Sequence, residues 1–382
     1  MLLCGLSSGI WLYLVFAHGR FWQSTPQLGP AVPSQTPDVD VVVPARDEAA
    51  TIGRAIASLA AQDYAGRFRI FLIDDGSSDG TAALARAAVP AQMTSCLQLV
   101  SGSAKPAGWS GKLWALSQGV ALGEAPVILF ADADIVHDSR HLATLVARLE
   151  SPAVDLVSEM VRLECSSLAE RALVPAFVYF FQMLYPFARV NDPRSRVAAS
   201  AGGTVLIRRV ALDRIGGLAS MKGALIDDVT LAKSVKRNGP IFLGHSGLAA
   251  SIRPYPGFAD IWTMIARTAF TQLHYSAPLL LATLAGLALL WWVPIGEALL
   301  AHGWQRLCGL SAFALACASF VPTLRRYGRN LAWALALPLI AAFYMAATLG
   351  SALQYWLGRG ARWKNRDYGG PDCDGPDCDH PG

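Results

Sequence analysis

Residues 39–48 read VDVVVPARDE and residues 68–81 read FRIFLIDDGSSDGT. Each opens as a run of β-branched and apolar residues and breaks into polar, turn-forming residues at its carboxyl end. Apolar runs of this length, 39–43 and 68–73, read as strands buried on both faces, the pattern of a parallel sheet covered by helices on each side. Residues 49–62 and 80–88 read as the helices that follow them, and 97–100, 127–130 and 204–207 as further strands. The alternation predicts an α/β layer structure. In such sheets ligands bind at the carboxyl ends of the strands, where both quoted runs place their charged residues.

Beyond this centre the composition changes. Apolar residues make up 53% of the 382 and charged residues 16%, against about 25% charged in a soluble protein, a deficit that lipid absorbs. Residues 1–17 carry no charge before His18, Arg20 and Trp22, which predicts a transmembrane anchor over 1–20. A cleaved signal peptide is the rival, but no basic residue precedes the apolar run and no small-x-small site follows it. A Pro/Gln/Ser-rich linker, 24–37, leads into a soluble domain over 38–271. Residues 277–295, 307–321 and 331–357 then read as membrane helices within a 277–357 region, the middle one short enough that two or three crossings fit. Arg325, Arg326 and Arg329 form one basic cluster; Arg359, Arg362, Lys364 and Arg366 form another. In the polar tail, 358–382, Cys373, Cys378 and His380 make either a metal site or a disordered repeat. The seven cysteines form no disulfide framework. A net charge of +4 without a long basic run argues against nucleic acid as a partner and leaves an anionic membrane surface or a diphosphate.

Four constellations carry chemistry. In the first, the strand ending at Pro44 delivers Arg46, Asp47 and Glu48 into a turn, either as a nucleotide contact or as acids favoured at a helix start. In the second, Asp74 and Asp75 adjoin at a strand end, where they repel unless a cation or a hydrogen-bond donor relieves them; a plain Asx-capped turn is the alternative. In the third, LFADAD, Asp132 and Asp134 follow a buried strand at alternate positions. Extended backbone there would point both carboxylates at one hard cation, Mg²⁺ or Mn²⁺ bridging a diphosphate. In the fourth, Asp227 and Asp228 open a helix as N-caps or as a general base. Gly202 and Gly203 permit close backbone approach, and Lys112 in GWSGKLWAL is a diphosphate contact or a solvated lysine. No P-loop or dinucleotide fingerprint is present.

Taken in order, PARDE, IDDGSSDGT, ADAD, AGG and IDD resemble the motif set of glycosyltransferase family 2, which has the GT-A fold. GWSGKLWALSQG, VPAFVYFFQMLYPF, VNDPRSR, GALIDD and RPYPGFADIW resemble more narrowly the hopene-associated glycosyltransferases of bacterial hopanoid clusters. The resemblance implies an inverting transfer of sugar from a nucleotide diphosphate donor to a lipid, a hopanoid among the candidates. It places the enzyme in the bacterial cytoplasmic membrane as a multi-pass protein with a cytoplasmic catalytic domain. It implies Asp228 as base with Asp227 in support, and Asp132 and Asp134 at a divalent metal. It implies Pro44, Glu48, Asp74, Asp75, Lys112, Asp132 and Gly203 at the nucleotide sugar, with Arg267 in MIARTAF the nearest counterpart of the family's Q-x-x-R-W arginine. A polysaccharide-forming relative would carry that element intact and more spans; a non-catalytic scaffold would have damaged carboxylate motifs.

The segment 172–188, ALVPAFVYFFQMLYPFA, is apolar but interrupted by Pro175 and Pro186. It predicts an interfacial helix pair or hairpin with Phe177, Tyr179, Phe180, Phe181 and Tyr185 facing lipid or acceptor, a buried core helix being the alternative.

Overall fold

A computed structural model of the chain describes residues 2–150, 154–358, 361–363 and 366–368; Cys373, Cys378 and His380 lie outside the described residues. The chain divides into two compact units, one of residues 25–164 and 189–254 and one of residues 1–24, 165–188 and 255–382. Residues 165–188 and 255–271 thus belong with the apolar segments, although they stand within the expected soluble span.

The first unit is built on a mixed nine-stranded sheet. Its strands are β1 (Gln27–Leu28), β2 (Val39–Ala45), β3 (Phe68–Asp74), β4 (Leu97–Ser101), β5 (Val127–Ala131), β6 (Ile135–His137), β7 (Leu156–Arg162), β8 (Thr204–Arg208) and β9 (Ile241–Ser251). They run in the order β1-β9-β7-β8-β5-β2-β3-β4, with β6 paired to β9. β2 is parallel to β3 and to β5, whereas β8 is antiparallel to both β5 and β7. The expected strands are all present. β7 and β9, which the apolar runs did not reveal, complete the sheet.

The two faces of β2 show why its sequence is continuously apolar. Val39, Val41, Val43 and Ala45 pack with Ile52, Ile56, Leu59 and Ala60 of the helix Ile52–Ala60. Val42 turns the other way, toward the helix Gly111–Leu122, where a Cβ on Gly119 would stand 2.3 Å from its Cγ1. Asp40 shares that second face by the two-residue repeat of a strand. It is fully buried and accepts hydrogen bonds from Arg69 (3.1 Å), Arg209 (3.0 Å) and the Ala125 backbone N–H (2.8 Å). Gly123 leaves room for that carboxylate, since a Cβ there would lie 2.1 Å from Asp40 Oδ2.

In the second unit, residues Ala277–Leu300, Gly303–Arg326 and Leu331–Trp356 are long and apolar enough to cross a membrane. The middle segment is longer than its apolar run suggested, because the helix continues through Arg325 and Arg326. A π-helical turn at Ala288–Trp292 interrupts the first, and such a turn frees carbonyls from the regular ladder. The helix Leu2–Phe16 supplies partners for them: Ser7 Oγ donates to Leu289 O (3.0 Å) and Trp11 Nε1 to Leu290 O (2.9 Å).

Residues Leu168–Leu184 form one helix through Pro175, not a hairpin, and a Ser167–Glu170 capping box starts it. Tyr179 is fully buried, with its hydroxyl 2.7 Å from Ser319 Oγ. Phe180 packs edge-on against Trp291 and Tyr344. The lipid-facing expectation for Tyr179 is therefore corrected to a core position, because a buried hydroxyl with a partner costs little.

Asp40→Ala leaves Arg209 without its buried partner, and loss of one member of a buried pair costs about 3–5 kcal/mol. The lower end is expected, because Arg69 is half in water and screened. Chemical denaturation of the full chain measures this, and a loss under about 1 kcal/mol would contradict the buried network.

Candidate active site

The motif turns meet at the carboxyl ends of the central strands. β2 and β3 lie in register from Val39 opposite Phe68 to Ala45 opposite Asp74, so the turns after them are neighbours. They are stitched together by backbone-to-side-chain bonds. Asp47 N–H donates to Ser77 Oγ (2.9 Å), Ser78 N–H to Asp47 Oδ1 (2.9 Å), Glu48 N–H to Thr81 Oγ1 (2.8 Å) and Ala49 N–H to Asp79 Oδ2 (2.9 Å). Asp47 takes φ +49°, which its short side chain tolerates by bonding locally. Asp74 Oδ1 accepts the Ser77 N–H (2.9 Å), and Arg46 lies 3.7 Å from the Asp75 carboxylate.

Lys112 is the centre of the third and fourth motifs. It stands in the first turn of the helix Gly111–Leu122, capped by Ser110, where a cation opposes the helix dipole. Carboxylates hold it there. Its Nζ lies 2.8 Å from Asp132 Oδ1 and 3.5 Å from Asp227 Oδ2. Asp228 completes the group, and a Cβ on Gly202 would come within 3.2 Å of its Oδ2 and 3.5 Å of Lys112 Nζ. Pro44, Lys112, Asp132, Gly202, Asp227 and Asp228 all line one small cavity.

The helix Asp227–Lys236 has Ile226 as its N-cap residue and no side-chain cap. Asp227 and Asp228 therefore do not serve as caps: Asp227 turns to Lys112, and Asp228 Oδ1 accepts the next N–H, of Val229, at 2.7 Å. Ser200 Oγ donates to the Asp228 carbonyl (2.7 Å), fixing the helix start. The Gly203 carbonyl accepts the Asp132 N–H (3.1 Å), and a Cβ at Gly203 would stand 3.3 Å from the Ile135 and Val161 side chains. Gly202 is the glycine that faces the carboxylates.

Three carboxylates around one ammonium leave a charge imbalance. Burial raises the Asp228 carboxyl, the Asp227 charge raises it further, and Lys112 only partly offsets them, so it is pushed up to about 7. Asp132 is also raised, by burial and by the charges of Asp134 and Asp227 against the pull of Lys112. For Lys112 burial acts downward, but the three carboxylates outweigh it and hold the ammonium above its ordinary value.

Asp134 does not join this group. The backbone turns at Ala133 and Asp134 rather than remaining extended, so the two-residue repeat does not apply; Asp134 takes a different cation, although its charge still bears on Asp132. Asp134 Oδ2 accepts from Arg253 Nε at 2.7 Å, and Arg253 Nη2 donates to both Glu48 oxygens at 2.7 and 2.8 Å. Arg253 was not among the expected site residues, although it opens the quoted run RPYPGFADIW just after β9. Arg267 belongs to the other unit, as the C-cap of the helix Phe258–Ala266.

Among the described residues no set of three His, Cys, Asp or Glu side chains forms a ready metal cage. The donors present nonetheless suit a hard cation, being carboxylate oxygens in excess over the ammonium. Mg²⁺ and its like are commonly held by one or two carboxylates and completed by substrate phosphates.

Residues 40–216 match the family model described as glycosyl transferase family 2. That stretch of the chain is thus similar to family 2 transferase domains, and the α/β unit has the GT-A fold. A mannosyltransferase from Pyrobaculum calidifontis, solved with GDP-Man and Mn²⁺, superposes with a TM-score of 0.58. At 20% identity over 91% of this chain and 96% of that one, the likeness is one of fold. An N-acetylglucosaminyltransferase of Rhizobium leguminosarum bv. viciae is 45% identical over 53 residues, 14% of this chain and 12% of its own length. One of Sinorhizobium fredii is 43% identical over 60 residues, 15% of this chain and 14% of its own length. The chain therefore spans about an eighth of the length of these relatives.

Asp228→Asn keeps the acceptor for the Val229 N–H and removes a charge that the site disfavours. A carboxyl raised in the folded state contributes stability only when protonated, and that contribution is lost as pH climbs through its folded value. Asp228→Asn should therefore melt no lower than wild type at pH 8 in a thermal scan; a marked fall would show that the carboxylate is a structural anchor.

Proposed function

We propose that the chain is a membrane-bound inverting glycosyltransferase that moves a sugar from a nucleotide diphosphate donor to a lipid acceptor. A hopanoid is the leading candidate acceptor, on the motif resemblance. The observation that carries the reading is the cluster of Asp132, Asp227 and Asp228 about Lys112, at the strand ends where the nucleotide-contacting turns converge.

Asp74, Asp75, Arg46 and Glu48 lie on the nucleotide side of the site. Lys112 offsets charge that builds on the departing diphosphate. A divalent Mg²⁺ or Mn²⁺, when bound, supplies Lewis-acid stabilisation of the same charge, and Asp132 with Asp134 would hold it. Asp228 takes the proton of the attacking acceptor hydroxyl, and a base poised near neutrality suits that task. Asp227 tunes Asp228 by its charge. One displacement, with no covalent intermediate on the enzyme, inverts the anomeric centre.

The second unit supports the membrane assignment. Counting three crossings from Ala277, the end carrying Arg325, Arg326 and Arg329 returns to the face on which the first span begins. Arg359, Arg362, Lys364 and Arg366 follow the last span on the other face, so the positive-inside tendency does not choose between the two; we take the catalytic side as the inner side of a bacterial cytoplasmic membrane from the motif resemblance.

Mass spectrometry of total lipids from cells with and without the protein tests donor and acceptor together: the reading requires a sugar adduct of a lipid that depends on the chain. Asp132→Ala, or excess chelator on wild type, should reduce transfer at least about 100-fold, in the range of other electrostatic stabilisers. Full activity in either case would remove the metal from the reaction.

The pH profile of transfer provides a separate check. Below about 7 Asp228 is protonated and cannot accept a proton, so the rate should rise with pH with a midpoint near 7. Asp227→Asn removes the like charge and should move that limb to lower pH. A limb that stays in place in Asp227→Asn and persists in Asp228→Asn would assign the titration to another group.

A further inference from the structure

The proposed metal role requires that the Asp132 and Asp134 carboxylates be held at a fixed separation. Each is tied through one oxygen. Asp132 Oδ1 is bound to Lys112 and Asp134 Oδ2 to Arg253. Among the described residues, the hydrogen bonds and ion pairs of these two side chains engage only those oxygens, which leaves Asp132 Oδ2 and Asp134 Oδ1 for another cation.

Arg253 is placed for more than charge neutralisation. It follows β9 directly, and the N–H of the preceding Ile252 donates to the Asp134 carbonyl at 2.9 Å, so backbone and side chain grip Asp134 from the same segment. Its guanidinium reaches on to both oxygens of Glu48, in the turn after β2. A planar fork of donors can satisfy two carboxylates at fixed angles, which a lysine ammonium on a flexible stem does not do. Glu48 is buried and is itself fixed by its N–H to Thr81, so the clamp has a rigid end.

We propose that Arg253 is the positioning residue of the metal and diphosphate site: it bridges Glu48 and Asp134 so that Asp134 Oδ1 faces the cation. This rests on the transferase reading and assigns Arg253 no contact with the sugar or the reacting atoms. Partners that orient a metal-binding carboxylate typically cost about 10–100-fold in metal affinity when removed.

The test is Mn²⁺ titration of the full chain in detergent, followed by electron paramagnetic resonance, with UDP or GDP present. Nucleotide binding without metal is measured in parallel by tryptophan fluorescence. Arg253→Gln should weaken Mn²⁺ about 10–100-fold while metal-free nucleotide affinity falls far less. Arg253→Lys should recover part of the loss, and Glu48→Gln, which frees one side of the fork, should show a smaller loss. Wild-type Mn²⁺ affinity in Arg253→Gln would overturn the proposal and leave the transferase reading standing. Equal loss of Mn²⁺ and nucleotide binding with a collapsed melting temperature, and no recovery in Arg253→Lys, would overturn it in favour of a folding role. Absence of nucleotide-dependent Mn²⁺ binding in wild type would overturn both the metal reading and this one.

Discussion

The ammonium of Lys112 holds three carboxylates that the fold brings together from separate elements: Asp132 from the turn after β5, and Asp227 and Asp228 from the start of a helix. Without a cation at this point they would repel across a poorly solvated cavity. With one, they remain under tension, as the elevated Asp228 shows. The surrounding choices follow from the need to keep this cluster close. Gly202 has no side chain because a Cβ would meet both Asp228 and Lys112. Lys112 accepts an unfavourable place in the helix dipole because the carboxylates more than offset it. Ser200 pins the backbone of Asp228. A site assembled in this way disfavours its own ionised state, and a ligand that brings positive charge relieves it.

The sequence disclosed the parts of the molecule whose physics is local. β2 and β3 are legible because strands covered on both faces become uninterrupted apolar runs, and their turns are legible because acids and glycines cluster where those runs stop. β7 and β9 were hidden for the converse reason. Their buried positions include Ser158, Glu159, His245 and Ser246, polar residues that break the apolar signal. Glu159 Oε1 is partnered by His141 Nε2 and, at 3.1 Å, by Thr204 Oγ1, both distant in sequence. Strand alternation does not describe Asp132 and Asp134, because it holds only for extended backbone and the chain turns between them. Arg253 opens the run RPYPGFADIW, but local reading gives it no role, because its partners Glu48 and Asp134 lie 205 and 119 residues away.

The apolar unit shows a related limit. Its three long helices were visible from hydropathy, yet hydropathy does not distinguish an aromatic ring facing lipid from one facing a neighbouring helix. Tyr179 is decided by its hydroxyl, which needs a partner when buried and finds Ser319. The helix Leu2–Phe16 is decided likewise by backbone satisfaction. A buried carbonyl released by a π turn needs another donor, and Ser7 and Trp11 supply it. The helix is thereby a bundle component, bound through polar contacts that an apolar count overlooks.

The two cations of the candidate site differ in kind, and the difference follows from what each must do. Lys112 presents a compact charge on a flexible stem, which on the proposed transferase reading suits a group whose partners change as a diphosphate arrives and leaves. Arg253 is spread across two carboxylates by three short hydrogen bonds, a geometry that resists rearrangement. Exchanging the two residue types would put a rigid fork where charge must move and a mobile ammonium where spacing must be kept. Asp134 therefore has its position set by the rigid cation, whereas Asp132 shares the mobile one with Asp227 and Asp228. A divalent ion entering between Asp132 and Asp134 would meet one fixed wall and one adaptable wall. That asymmetry would allow the diphosphate to complete the coordination without displacing the turn after β2 that carries Glu48.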